Sequence, residues 1–125
     1  VRLRLEMGRY VLAEDYVRAR TLREVLRARV DAALERCDAL LLPALSIPAP
    51  PLGATTIEID GTAEPVRAAM LRLTQLFNLT GHPAIAIPAG RTPSGLPVGM
   101  QLVGRRRATA TLLSHAEAIE QQIQM

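Results

Sequence analysis

Residues 14 to 37 carry apolar side chains at three- and four-residue steps, Val25, Leu26, Val30, Ala33, Leu34 and Cys37, between strongly charged flanks. That spacing predicts a helix with one apolar stripe, and a helix of this kind is stable only when another surface covers the stripe. The rest of the sequence therefore has to be read for what could cover it. Residues 2 to 12 read as a shorter helix before it. Ala39-Leu40-Leu41-Leu42, stopped by Pro43, is the kind of short apolar run that a fully buried strand shows. Pro43, Pro48, Pro50 and Pro51 then fix φ and remove amide donors, which predicts an extended loop whose Leu45, Ile47 and Leu52 can lie against a core.

Thr56-Ile57-Glu58-Ile59 alternates and ends at Asp60-Gly61, a strand followed by a turn. A helix is expected from Thr62, with Thr62 as N-cap, Glu64 in the first turn and Pro65 tolerated there. Val66, Ala69, Met70, Leu73 and Phe77 would be its buried stripe, and Gly81-His82-Pro83 ends it. Two strands, residues 84 to 88 and 98 to 103, flank a turn at residues 90 to 95. A last helix is expected from about Thr109 to Gln122 with Leu112, Leu113, Ala116, Ile119 and Ile123 inside. Helices and strands alternate, so the predicted class is α/β, helices packed on a few strands.

All fifteen basic residues among the 125 are arginine. With no lysine, a Schiff base, a Ser/Lys couple and a P-loop are excluded. The single cysteine allows no internal disulfide, no run of about 18 apolar residues spans a membrane, and no signal-peptide core is present, so the chain is expected to be cytoplasmic. It starts with Val in a charged periodic segment, which predicts further sequence upstream. Arg18, Arg20, Arg23, Arg27 and Arg29 alternate with Glu14, Asp15, Glu24 and Asp31, the pattern of a solvated helix face rather than of a nucleic-acid tract. Arg105-Arg106-Arg107 reads as a solvated turn.

The candidate chemistry is sparse. Ser114 and His115 are helix neighbours that point about 100° apart and cannot act as nucleophile and base on each other. Cys37 reads as a small buried hydrophobe, and His82 as a loop residue bonding backbone. No cofactor is expected. His115-Ala116-Glu117 lacks the paired cysteines of a zinc deaminase, no other ligand spacing suggests a metal, and Gly95, Gly99 and Gly104 are too far apart for a dinucleotide fingerprint.

The order and spacing of three blocks nevertheless resemble the C-terminal end of the amidase signature family. These blocks are Phe77-Asn78-Leu79-Thr80-Gly81-His82-Pro83-Ala84-Ile85-Ala86-Ile87-Pro88-Ala89-Gly90, Gly95-Leu96-Pro97-Val98-Gly99-Met100-Gln101-Leu102-Val103-Gly104-Arg105, and Leu112-Leu113 with Ala116 and Glu120. Tyr16-Val17-Arg18-Ala19-Arg20 and Asp38-Ala39-Leu40-Leu41-Leu42-Pro43 are similar to the family's long helix and following buried strand. The chain departs from the family at Ala44, where many members carry threonine.

The resemblance implies a mixed-sheet α/β fold, with residues 1 to 125 forming the C-terminal portion of an incomplete domain. It implies an amide C–N bond hydrolase whose serine, cis-peptide serine and lysine lie in the family's N-terminal and central parts. Arginine stays protonated and cannot replace that lysine as base. The chain is therefore expected to hold no catalytic residue and to be inactive alone, with the rest of the amidase chain as its partner and a small-molecule amide as substrate. Carried over position by position, Arg4, Leu71, Thr74 and Phe77 are the substrate-pocket candidates. Leu71 stands where the amidotransferase branch places an aspartate for the amino acid substrate, which implies a less polar amide. Two alternatives stay open: a separately encoded subunit completing an active site on another chain, and a non-catalytic arginine-rich binding module. Apolar stripes left uncovered in the isolated segment predict partial unfolding or self-association.

Overall fold

A computed structural model describes residues 2–123, except for the side chain of Arg4. The order is α1 (Arg2–Met7), a 3-10 turn (Gly8–Tyr10), α2 (Ala13–Leu34), β1 (Leu40–Pro43), β2 (Thr56–Ile59), β3 (Thr62–Pro65), α3 (Val66–Leu71), α4 (Gln75–Thr80), β4 (Ala84–Arg91), β5 (Pro97–Val103) and α5 (Thr109–Ile123). Helices and strands mix as the α/β assignment expects, and every described strand pairing is antiparallel.

The main sheet has β5 at its centre between β1 and β4. Leu102 sits opposite Leu41 on one side and Ile85 on the other. Because alternate side chains leave a strand on opposite faces, β5 feeds two separate cores. Val103 joins Val30, Leu34 and Phe77 beneath α2 and α4. Leu102 joins Ile87, Leu112 and Ala116 beneath α5. The result is three layers, helix, sheet and helix. Gly104 lets α5 approach: a Cβ there would lie 3.2 Å from the Cβ of Leu112.

Three expectations change. The turn Asp60-Gly61 has φ of +50° and +77°, the conformation that returns a chain antiparallel to itself. Thr62–Pro65 is accordingly a strand paired with β2, not the first turn of a helix, and Thr62 lies opposite Ile59. With its backbone in the ladder, Thr62 is not the N-cap; α3 starts at Val66, behind Pro65. The expected helix over residues 66 to 77 is also broken into α3 and α4. In the proline-rich loop only Ile47 of the three apolar residues is buried, while Leu45 and Leu52 face outward, as do Leu113 and Ile123 in α5.

The stripe of α2 is covered in its second half only. Val30 and Leu34 are 7% and 1% exposed, Cys37 is half-buried beyond the helix end, and Val25 and Leu26 are exposed. No described helix is long and apolar enough to cross a membrane.

Candidate functional site

The C-terminal half of α2 is tied to the body by a polar cluster whose members come from three places in the chain. His82 follows the left-handed Gly81 that caps α4, with its N–H bonded to the Phe77 carbonyl at 2.9 Å. That turn drives the imidazole inward, and its side chain is fully buried. Nε2 donates to Asp31 Oδ1 at 3.1 Å, and Nδ1 shares a hydrogen bond with Thr80 Oγ1 at 2.9 Å. The Arg106 guanidinium makes two bonds to the Asp31 carboxylate, at 3.2 and 2.9 Å. Arg106 beside it holds the Asp31 carboxyl below the usual carboxylate range, with His82 adding and partial desolvation opposing. The same pairing raises Arg106.

Arg105 places Nε and Nη2 at 3.2 and 3.0 Å from the Leu34 carbonyl, and Nη2 at 3.2 Å from that of Cys37. A cation on the last carbonyls of a helix satisfies groups that have no partner within the helix and meets the negative end of its dipole. Arg27 Nε donates to the Thr80 carbonyl at 2.9 Å, joining α2 to the end of α4. So Arg105-Arg106-Arg107 is not simply a solvated turn, and His82 bonds side chains rather than backbone. Neither was visible locally, because Asp31 lies 51 positions from His82 and 75 from Arg106.

Thr80, His82 and Asp31 line up as hydroxyl, imidazole and carboxylate, the order of a nucleophilic triad. A nucleophile must meet substrate, and Thr80 has no exposed surface; its hydroxyl donates to the Leu76 carbonyl at 3.0 Å. The cluster is a strut. The serines are engaged elsewhere: Ser46 donates to the Ala69 carbonyl at 2.7 Å, Ser94 pairs with Thr92, and Ser114 donates to the Ala110 carbonyl. Among the described residues no three His, Cys, Asp or Glu side chains gather as metal ligands.

Two clefts lie side by side around α3, sharing Met70. One, of about 470 Å³, is lined by Ala54, Thr55, Val66, Arg67, Met70 and Leu71. The other, of about 380 Å³, runs along the loop from Ala44 to Pro50 and against Pro97, Val98 and Gly99. Their walls are mostly apolar, which suits an uncharged organic group. Leu71 lies on the first cleft. Thr74, half-buried, precedes α4 and does not line that cleft; Phe77, 5% exposed, sits in the core with Val30, Leu34 and Val103. Arg4 lies in α1, and its side chain is outside the described residues.

The Amidase family profile matches residues 1–113. The glutamyl-tRNA(Gln) amidotransferase A-subunit of Nitrobacter hamburgensis is 41% identical over 97% of this chain and 25% of its own length. A solved amidase is 36% identical with a TM-score of 0.85, covering 94% of this chain and 27% of its own. A chain from a vestigial complex described as revealing the origins of an s-triazine catabolic enzyme is 32% identical with a TM-score of 0.82, covering 95% of this chain and 26% of its own. The chain thus spans about a quarter of the length of the curated relatives it matches.

Proposed function

The chain belongs to the amidase family, and from that premise we propose that residues 1 to 125 are the C-terminal portion of an amidase domain. In this reading the segment supplies strands β1, β4 and β5, two cores and part of an acyl pocket to an amide C–N bond hydrolase. The serine, cis-serine and lysine machinery comes from the remaining three-quarters, on the same polypeptide or a separately encoded one. The single observation that carries the reading is the coverage: nearly all of this chain aligns with about a quarter of a full-length relative. The absence of lysine supports inactivity of the segment alone, since the family resemblance requires a lysine as proton acceptor and arginine cannot replace it.

Leu71, Thr74, Phe77 and Arg4 are the pocket candidates that the family resemblance supplies, and of these Leu71 is the one that lines the cleft beside α3. Leu71 beside Met70 and Val66 favours an acyl group without an amine to pair, because an apolar wall gives a buried ammonium no partner. The reading needs no cofactor and places the chain in the cytoplasm, where its free Cys37 stays reduced.

The test is hydrolysis of a small panel of aliphatic and aryl amides by the purified chain, alone and after co-expression with the first three-quarters of the Nitrobacter relative. No ammonia release alone and release with the complement is the expected result. Turnover by the chain alone overturns the reading.

A further inference from the structure

Of the stripe that the sequence singled out on α2, the chain covers Val30 and Leu34 for itself, while Val25 lies on the other side of the helix. A second stripe runs along the opposite side of the same helix at four- and three-residue steps: Arg18, Leu22, Val25, Arg29, Ala32 and Arg36, the last just past the helix end. These positions recur on one face, and all of them are exposed, Leu22 at 58% and Val25 at 47%. No described ion pair or side-chain hydrogen bond engages Arg18, Arg29 or Arg36, although Arg23, Arg27, Arg105 and Arg106 are all engaged. A helix with apolar side chains on two sides is ordinarily buried between two layers. Only one of those layers is present among the described residues.

We propose that this outer face of α2 is a docking surface for the remaining three-quarters of the amidase polypeptide, which meets it with an apolar patch bracketed by carboxylates. The inference rests on the reading above and adds to it the surface and the chemistry of the partner. The occupant follows from the length of chain that is missing: relatives are about four times as long as this segment, and α2 aligns with them inside the matched residues. The carboxylates follow from charge. Leu22 and Val25 lie between Arg18 and Arg29 along the axis, and three unpaired guanidinium groups at one interface require acidic partners to be buried without loss. A second copy of the chain fits poorly, because the stripe would oppose its own arginines; Glu14 and Asp15, one turn before Arg18, are the acids in line with it. Leu3, Leu5, Met7 and Tyr10, in α1 and the turn after it, are exposed as well.

The test is co-purification and titration of this full chain with the first three-quarters of the Nitrobacter relative as probe. Wild type should bind at one to one. Leu22→Glu with Val25→Glu should weaken binding by roughly a hundredfold, as loss of a central apolar contact does. Arg18→Glu with Arg29→Glu should weaken it about tenfold, and wild-type binding should fall as salt rises. Leu52→Glu, at a fully exposed loop position, should bind as wild type. Circular dichroism on each variant checks that α2 still forms. Three results overturn the proposal: no binding of the wild-type chain, binding that survives Leu22→Glu with Val25→Glu, or a stripe-dependent self-association or anionic-vesicle binding that excludes the probe. A stripe-dependent complex that releases no ammonia from amides leaves the docking surface standing and sinks the hydrolase reading; a hydrolysing complex indifferent to the stripe does the reverse.

Discussion

The two halves of α2 are close in composition and opposite in fate. The first half, with Tyr16, Val17 and Leu22, keeps its apolar side chains in the open; the second buries Val30 and Leu34 against Phe77 and Val103. Unpaired arginines occur in both halves, Arg18 and Arg20 in the first and Arg29 in the second, but only the second is fastened to the body, by Arg27 to Thr80 and by Arg105 and Arg106 arriving from the turn before α5. What distinguishes the halves is not in the helix. It is the set of side chains, more than forty positions away, that the sheet brings to one end of it.

The two halves differ most at Leu34. Truncation of a fully buried leucine leaves a cavity that rigid neighbours do not fill, so Leu34→Ala should destabilise the body by about 2–5 kcal/mol. Leu22→Ala, on the open half, should change it by less than about 0.5 kcal/mol. Native-state hydrogen exchange at β5 amides reads both. Equal effects would mean that the first half is covered in the isolated chain after all.

His82 comes next. Its ring is buried with both nitrogens bonded, so His82→Ala should cost about 1–3 kcal/mol through lost hydrogen bonds. Exchange should rise at the end of α4 and in the second half of α2, with the first half unmoved. Arg105→Ala should have a smaller effect, about 1 kcal/mol, because Arg105 is exposed and water can take the place of its guanidinium on these carbonyls. Faster exchange confined to the last turn of α2 is the expected signature, and unchanged exchange there would remove the role assigned to Arg105.

Periodicity made most of this fold legible. The stripe residues Val66, Ala69, Phe77, Leu112 and Ala116 are buried as the spacing predicts, because a helix face is a local property of the sequence. Two kinds of information were not local. At Asp60-Gly61 the turn was readable, but a return strand and a helix start share the same letters, Thr-Ala-Glu-Pro, and only the partner strand at Thr56–Ile59 decides between them. The Asp31–His82–Arg106 cluster was invisible for the same reason, since each residue taken singly is an ordinary surface charge or loop histidine. The candidate site was legible only through family resemblance: Leu71 lies on a cleft, but nothing about an isolated leucine announces one.

Acid should erase the difference between the halves before it unfolds the sheet. Asp31 is held below the usual carboxylate range chiefly by Arg106 and then by His82, with desolvation working the other way. In the unfolded chain its carboxyl titrates near about 3.9. Above roughly pH 5 both states are ionised and the pairing contributes in full. As pH falls through the unfolded value, the unfolded chain takes up a proton that the folded chain refuses, and the contribution is lost progressively until the folded carboxyl titrates too. The stability gap between wild type and Asp31→Asn should therefore be flat above about pH 5 and narrow below about pH 4. Read by exchange, the narrowing belongs to the second half of α2; Leu22 and its neighbours, which touch neither Arg106 nor His82, should show none. A gap that stays constant down to about pH 2 would mean that the carboxylate is not what fastens the helix, and would move that role to the apolar pair Val30 and Leu34 alone.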